Sequence, residues 1–181
     1  TVIAGRNDLS NFANTTTFYG AGSGEWVQSF VASNTDIAGS LNIAIYDWNT
    51  ATNLKLRLRD NAGNLLDEGI ISSGAGTGEL SVALSGGVLL TLGQTYHLSF
   101  VCDTGYVIAY ANVNNWVIES VSASTYATAE DPLSAGTSQG LGEAPIWVGA
   151  ATSPAPTKIT FDAFSSHSLI DVDVLTWSHT N

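Results

Sequence analysis

Six residues restrict the fold of this chain more than any other stretch. In Leu54-Lys55-Leu56-Arg57-Leu58-Arg59 three leucines alternate with three cations, and side chains fall on alternate sides only along an extended strand. A helix would scatter both sets around its axis. The pattern requires a β-strand with one face for a core. The other face is expected to meet water, with Lys55, Arg57 and Arg59 as a stripe spaced by about 7 Å. Asp60-Asn61-Ala62-Gly63-Asn64 supplies turn residues before Leu65-Leu66, which predicts a hairpin.

The same alternation recurs along the chain. Glu25 to Val31, Leu41 to Asp47, Glu79 to Leu84, Thr95 to Val101, Tyr106 to Asn112, Trp116 to Val121, Pro145 to Gly149, Lys158 to Phe164 and Leu169 to Trp177 all read as short strands between Gly, Asn, Asp and Ser. No stretch of ten residues carries the i, i+3, i+4 apolar spacing of a helix. Only 12% of residues are charged, whereas helical proteins line their exposed faces with Lys, Glu and Arg. The expectation is an all-β protein, a two-sheet antiparallel β-sandwich of jelly-roll-like layout. A single domain over 25–181 is expected to follow an N-terminal arm or loop over 1–24. With 181 residues it can bury a core without disulfide or metal.

Charge and cysteine usage remove several function classes. Five basic against sixteen acidic residues give a formal charge of -11, which repels phosphate backbones, so nucleic acid is not an expected partner. No run of eighteen apolar residues exists, so membrane insertion is not expected. Cys102 is the only cysteine, which forbids an intrachain disulfide and suits a buried thiol. From Ser122 to Gly142 the alternation lapses into Ala, Ser, Thr and Gly. That is too long for an ordinary connection and reads as a functional or interfacial loop.

A resemblance enters at three places: Trp26 to Phe30; the run from Leu54 through Asp60-Asn61-Ala62-Gly63-Asn64 to Leu66; and Leu90-Thr91-Leu92-Gly93-Gln94-Thr95-Tyr96-His97-Leu98-Ser99-Phe100. Over roughly residues 25 to 120 this layout resembles jelly-roll modules. These include carbohydrate-binding modules and the domains of phage tail, fibre and capsid-decoration proteins. The resemblance implies a fold more firmly than a function, and it carries over no ligand residues.

The candidate chemistry is sparse. Gly136-Thr137-Ser138-Gln139-Gly140 matches the G-x-S-x-G nucleophile pattern, but that motif works on a strand-to-helix turn and no helix is expected here. Glu25, Asp47, Glu119 and Asp162 lie in or beside strands where a glycosidase pair could be built. Cys102, His97, His167 and His179 lack zinc-ligand spacing, and His97 is read as a wet-face residue. Asp60, Asn61 and Asn64, or Asp171 and Asp173, could offer oxygens to calcium, although turn chemistry explains the first group. Asn14-Thr15-Thr16 is an acceptor pattern for glycosylation. No catalytic residue, metal site or cofactor is assigned.

Contact residues are easier to nominate. Trp26 and Trp177 sit within alternating strands and are expected in the core. Trp48 and Trp116 lie at Asn-rich strand ends and, with Tyr46 and Tyr110, are the expected places for a sugar or partner to stack. The Lys55, Arg57, Arg59 stripe could dock an acidic neighbour. The resulting expectation is a virion structural protein, a phage decoration, fibre or tail-associated β-sandwich. It would act by assembly and adhesion as a homo-oligomer or with other virion proteins. A secreted carbohydrate-binding module contacting surface glycan is the alternative, and a polysaccharide-cleaving enzyme a third.

Overall fold

Alternation in the sequence becomes two stacked antiparallel sheets in the computed structural model, which describes residues 2–5, 14–19, 24–85, 87–111, 118–138 and 142–152. Among the described residues there are thirteen strands: β1 (Val2–Gly5), β2 (Asn14–Tyr19), β3 (Glu25–Val31), β4 (Asp36–Asp47), β5 (Asn53–Asp60), β6 (Leu65–Ser72), β7 (Gly78–Ala83), β8 (Leu89–Leu90), β9 (Thr95–Cys102), β10 (Tyr106–Ala111), β11 (Glu119–Val121), β12 (Thr137–Ser138) and β13 (Ile146–Ala150). The first sheet runs β1-β13-β4-β10-β2, with β7 and β8 also paired to β4; the second runs β12-β11-β3-β9-β5-β6. Among the described residues there is no α-helix, only a 3-10 turn at Ser73–Ala75, so no helix there could cross a membrane. The strands expected at 158–164 and 169–177, and Trp177, lie outside the described residues.

The core forms between the sheets from the inward half of each alternating strand. Leu54, Leu56 and Leu58 of β5 face Leu41, Ile43 and Ile45 of β4 across it, all fully buried. Two residues expected in an N-terminal arm belong to the same core: Ile3 and Phe18 are fully buried. The Phe18 ring stands edge-on to Trp26 at 5.3 Å and to Phe100 at 5.0 Å between centroids. One aromatic from the first sheet thus ties into two from the second, worth about 0.5–1.5 kcal/mol per pair beyond area burial. Four residues of β1 are too few, and β2 too polar, for alternation to show in the sequence. Ile3 and Ala4 of β1 and Phe18 of β2 are the buried apolar residues among those described there.

One side of the sandwich is closed by the chain itself, where β6 leaves the second sheet and β7 enters the first. At this corner a Cβ on Gly69 would lie 2.6 Å from both methyl carbons of Val82, so the close approach requires glycine. A buried amide fixes the far side: Gln28 donates to the Ala144 carbonyl at 2.8 Å and accepts from the Ala144 amide at 3.1 Å. Its burial costs little because donor and acceptor are both satisfied.

Candidate functional site

The outer face of the second sheet gathers most of the chain's polar chemistry. Its floor is set by register: Arg57 of β5 lies opposite Ser99 of β9, which lies opposite Val27 of β3, while Arg59, His97 and Ser29 form the next row. Glu25, two residues before Val27, shares this face.

Arg57 and Arg59 do not meet water, and this corrects the expected wet stripe. Both are fully buried, as is Glu25. Arg59 grips the Glu25 carboxylate from Nε at 2.9 Å and from Nη2 at 3.0 Å, and Arg57 Nη1 donates to it at 2.5 Å. The hydroxyls of Ser99 and Ser124 also donate to it. Burial pushes the Glu25 carboxyl up, but these donors and the Arg57 charge outweigh it and hold the group below its ordinary value of 4.5.

What covers the cations is the segment from Ser122 to Ala135, the start of the stretch expected to be a functional or interfacial loop. Arg57 Nη2 donates to the Thr125 carbonyl at 2.9 Å, and Arg59 Nη1 donates to the carbonyls of Gly63 at 2.9 Å and Glu130 at 2.8 Å. Lys55 is only partly buried. It pairs with Glu68 at 3.2 Å, donates to the Tyr126 carbonyl at 3.0 Å and sits 4.8 Å from the Tyr126 ring centre. The stripe is thus a clamp for the chain's own loop, and Arg57 and Arg59 have no free face for an external anion. The sequence could not show this, because alternation reports which side of the strand a residue takes and not what lies over that side.

Beside the clamp the same face opens into a groove of about 190 Å³ lined by Val27, Ser29, Asn61, His97, Glu119 and Leu133, with Gly136 at the rim. His97 Nδ1 and Ser29 Oγ are 2.8 Å apart. Glu119 is the cross-strand partner of Val27, and the Ser29–His97 pair forms the next row along the same face. Gly136 lets the loop approach Glu119: a Cβ there would fall 2.7 Å from both its Cβ and its Oε2. Of these residues His97, Glu119, Asn61 and Gly136 are also singled out in the sequence, each for another chemistry. The cross-strand register is what pairs His97 with Ser29.

The remaining nominated residues are dispersed. Trp48 is buried, contrary to its expected surface position, and its Nε1 donates to the Gly76 carbonyl at 2.5 Å. The chain folds back over it after β6, a long-range contact that no local pattern announces. Tyr46 and Tyr110 do meet, edge-on at 5.7 Å, with Tyr46 55% exposed. Trp116 lies outside the described residues, as do Asp162, His167, Asp171, Asp173 and His179. Of the candidate glycosidase carboxylates Glu25 is buried against arginines, and Asp47 and Glu119 lie on different sheets.

His97 points outward from β9 while Cys102 is buried at its end, where burial pushes the thiol up to about 12. No cluster of three metal-ligating side chains occurs among the described residues. Asp60 caps its own turn, accepting from the Ala62 and Asn64 amides at 2.9 Å and from the Asn64 side chain at 2.7 Å, as turn chemistry predicts. Ser138 of the G-x-S-x-G pattern is exposed on the two-residue strand β12; Gln139 and Gly140 lie outside the described residues. Searches of protein-family models, curated proteins and solved structures found no match to this chain.

Proposed function

We propose that this chain is a structural β-sandwich of a virion, a decoration, fibre or tail-associated protein that works by assembly and adhesion between copies of itself. The observation that carries the reading is an apolar end of the sandwich. Val31, Ile37, Leu89 and Leu92 are each between 45% and 61% exposed. They are neighbours: Ile37 pairs with Leu89 across β4 and β8, the Leu92 amide donates to Thr35 Oγ1, and the Gly93 amide donates to the Ala32 carbonyl. Four exposed aliphatics in one place are more than scattered surface residues and mark a contact surface.

The occupant that fits is a second copy. On a chain of formal charge -11, copies repel over most of their surface. The segments Val31–Ile37 and Leu89–Gln94 hold a single charged residue, Asp36, so repulsion there is least and apolar burial most favourable. The sequence resemblance of residues 25 to 120 to phage modules supports the virion setting.

The test is the mass in solution by light scattering, with and without Leu89→Asp and Leu92→Asp. The expected result is an oligomer that the double substitution converts to a folded monomer. A native chain that stays monomeric at every concentration removes the reading, as would its absence from purified particles of its source. A carbohydrate-binding module is the second reading, favoured by the Tyr46–Tyr110 pair, in which Tyr46 is exposed. Loss of glycan-array signal in Tyr46→Ala is its expected result.

A further inference from the structure

We infer that the groove between Glu119 and the Ser29–His97 pair binds one neutral, polyhydroxylated ring, such as a single sugar residue at the end of a glycan chain. This goes beyond the assembly reading and uses another part of the molecule. It also differs from the Tyr46–Tyr110 surface, which lies on the first sheet.

The groove's chemistry selects the ligand class. Glu119 accepts only; His97 Nδ1 is already paired with Ser29 Oγ and its Nε2 lies 3.5 Å from the Asn61 carbonyl, so what the pair offers a ligand is chiefly the remaining hydrogen-bonding capacity of the Ser29 hydroxyl. Adjacent ring hydroxyls, each able to donate and accept, satisfy that set together. A small ammonium could use Glu119 but would leave the apolar Val27, Val121 and Leu133 uncovered, whereas a phosphate or carboxylate would face the Glu119 charge on an already acidic chain. Between these polar groups the floor and walls are Val27, Val121 and Leu133, which suit the C–H face of a ring.

Size and spacing agree. Glu119 stands level with Val27 on the neighbouring strand, one alternate position along from Ser29, so the backbone positions of Glu119 and Ser29 lie roughly 8 Å apart and that of His97 one strand further. The volume of about 190 Å³ is below the roughly 300 Å³ at which pockets for drug-sized ligands begin. The site therefore takes a single ring and leaves the rest of a chain in solvent. Its walls are fixed in advance, because the clamp on Glu25 holds the loop that carries Leu133 and Gly136. A preformed site of this kind loses little on ordering.

The experiment is a titration of the isotope-labelled native chain with the methyl glycosides of glucose, galactose, mannose and N-acetylglucosamine. It is read at the His97 imidazole and at the Val27 and Val121 methyl signals. At least one glycoside is expected to give saturable shifts confined to these groups. Glu119→Ala and Ser29→Ala, both at exposed positions, are expected to weaken that binding about tenfold, the loss of one good hydrogen bond. Tyr46→Ala should leave it unchanged.

The inference is overturned if none of the four gives a saturable shift, or if shifts map to Tyr46 and Tyr110. It is also overturned if methylammonium or inorganic phosphate gives the shifts instead, or if neither groove substitution weakens binding in a variant whose spectrum remains native. The Leu89→Asp, Leu92→Asp monomer should still bind. Failure of the groove and failure of the apolar end are thereby read separately.

Discussion

Glu25 shows how much one residue can decide. Its carboxylate is the shared acceptor of two buried arginines and two serine hydroxyls. Removing it leaves Arg59 inside with no counter-charge and Arg57 with only the half-buried Glu68 carboxylate at 3.1 Å, although each arginine still has carbonyl partners from the loop. Glu25→Ala is expected to destabilise the fold by about 3–5 kcal/mol, measured by urea unfolding. A loss below about 1 kcal/mol would mean that water reaches the arginines and that the cluster is not sealed. Trp48 works at the same scale through shape: its ring fills the corner near Gly76, and its single donor is used there.

The loop from Ser122 to Ala135 is an element without regular structure that is nevertheless fixed at both ends. Beyond the arginine contacts, the Leu65 amide donates to Asp131 Oδ1 at 2.8 Å and the Leu133 amide to the Gly63 carbonyl at 3.0 Å. Gly63 is therefore part of the turn after β5 and also a seat for the loop. Its φ of +90° excludes most side chains, and a Cβ would meet the Leu133 backbone at 2.9 Å. Gly63→Ala is expected to cost about 1–3 kcal/mol. Hydrogen exchange is expected to show the loss of protection concentrated in residues 122–135, with β3 and β9 little affected. Uniform loss across both sheets would contradict a local seat.

Across the molecule, these carboxylates set the response to acid. Glu25 is held below its ordinary value of 4.5. Asp103 is brought to about 2, because amide donors from Asn53 and Thr52 outweigh the partial burial that pushes it up. A depressed folded pKa means that the unfolded chain binds protons more readily. The stabilisation is therefore complete above the ordinary carboxylate values and is lost as pH falls through the folded ones. The urea midpoint should stay flat from neutral pH to about 5 and then fall. Glu25→Gln should flatten the descent while lowering the plateau. A descent unchanged in that variant would assign acid sensitivity to other groups.

The alternation of Leu54 to Arg59 by itself determined a strand, its inward face and, with its neighbours, an antiparallel two-sheet protein. These follow from a backbone period of two that every residue obeys locally. Trp26 in the core and the turn at Asp60–Asn64 were legible for the same reason. Tertiary structure alone decided that the other face of that strand is covered, that Trp48 is buried, and that residues 2–5 and 14–19 join the first sheet. It also placed Ser29 beside His97, which are 68 positions apart. Each of these depends on which distant segment lies over or beside a strand. Arg57 and Arg59 look like a wet stripe in one dimension and become the clamp of a loop once Glu25 and the residues after Ser122 are folded onto them.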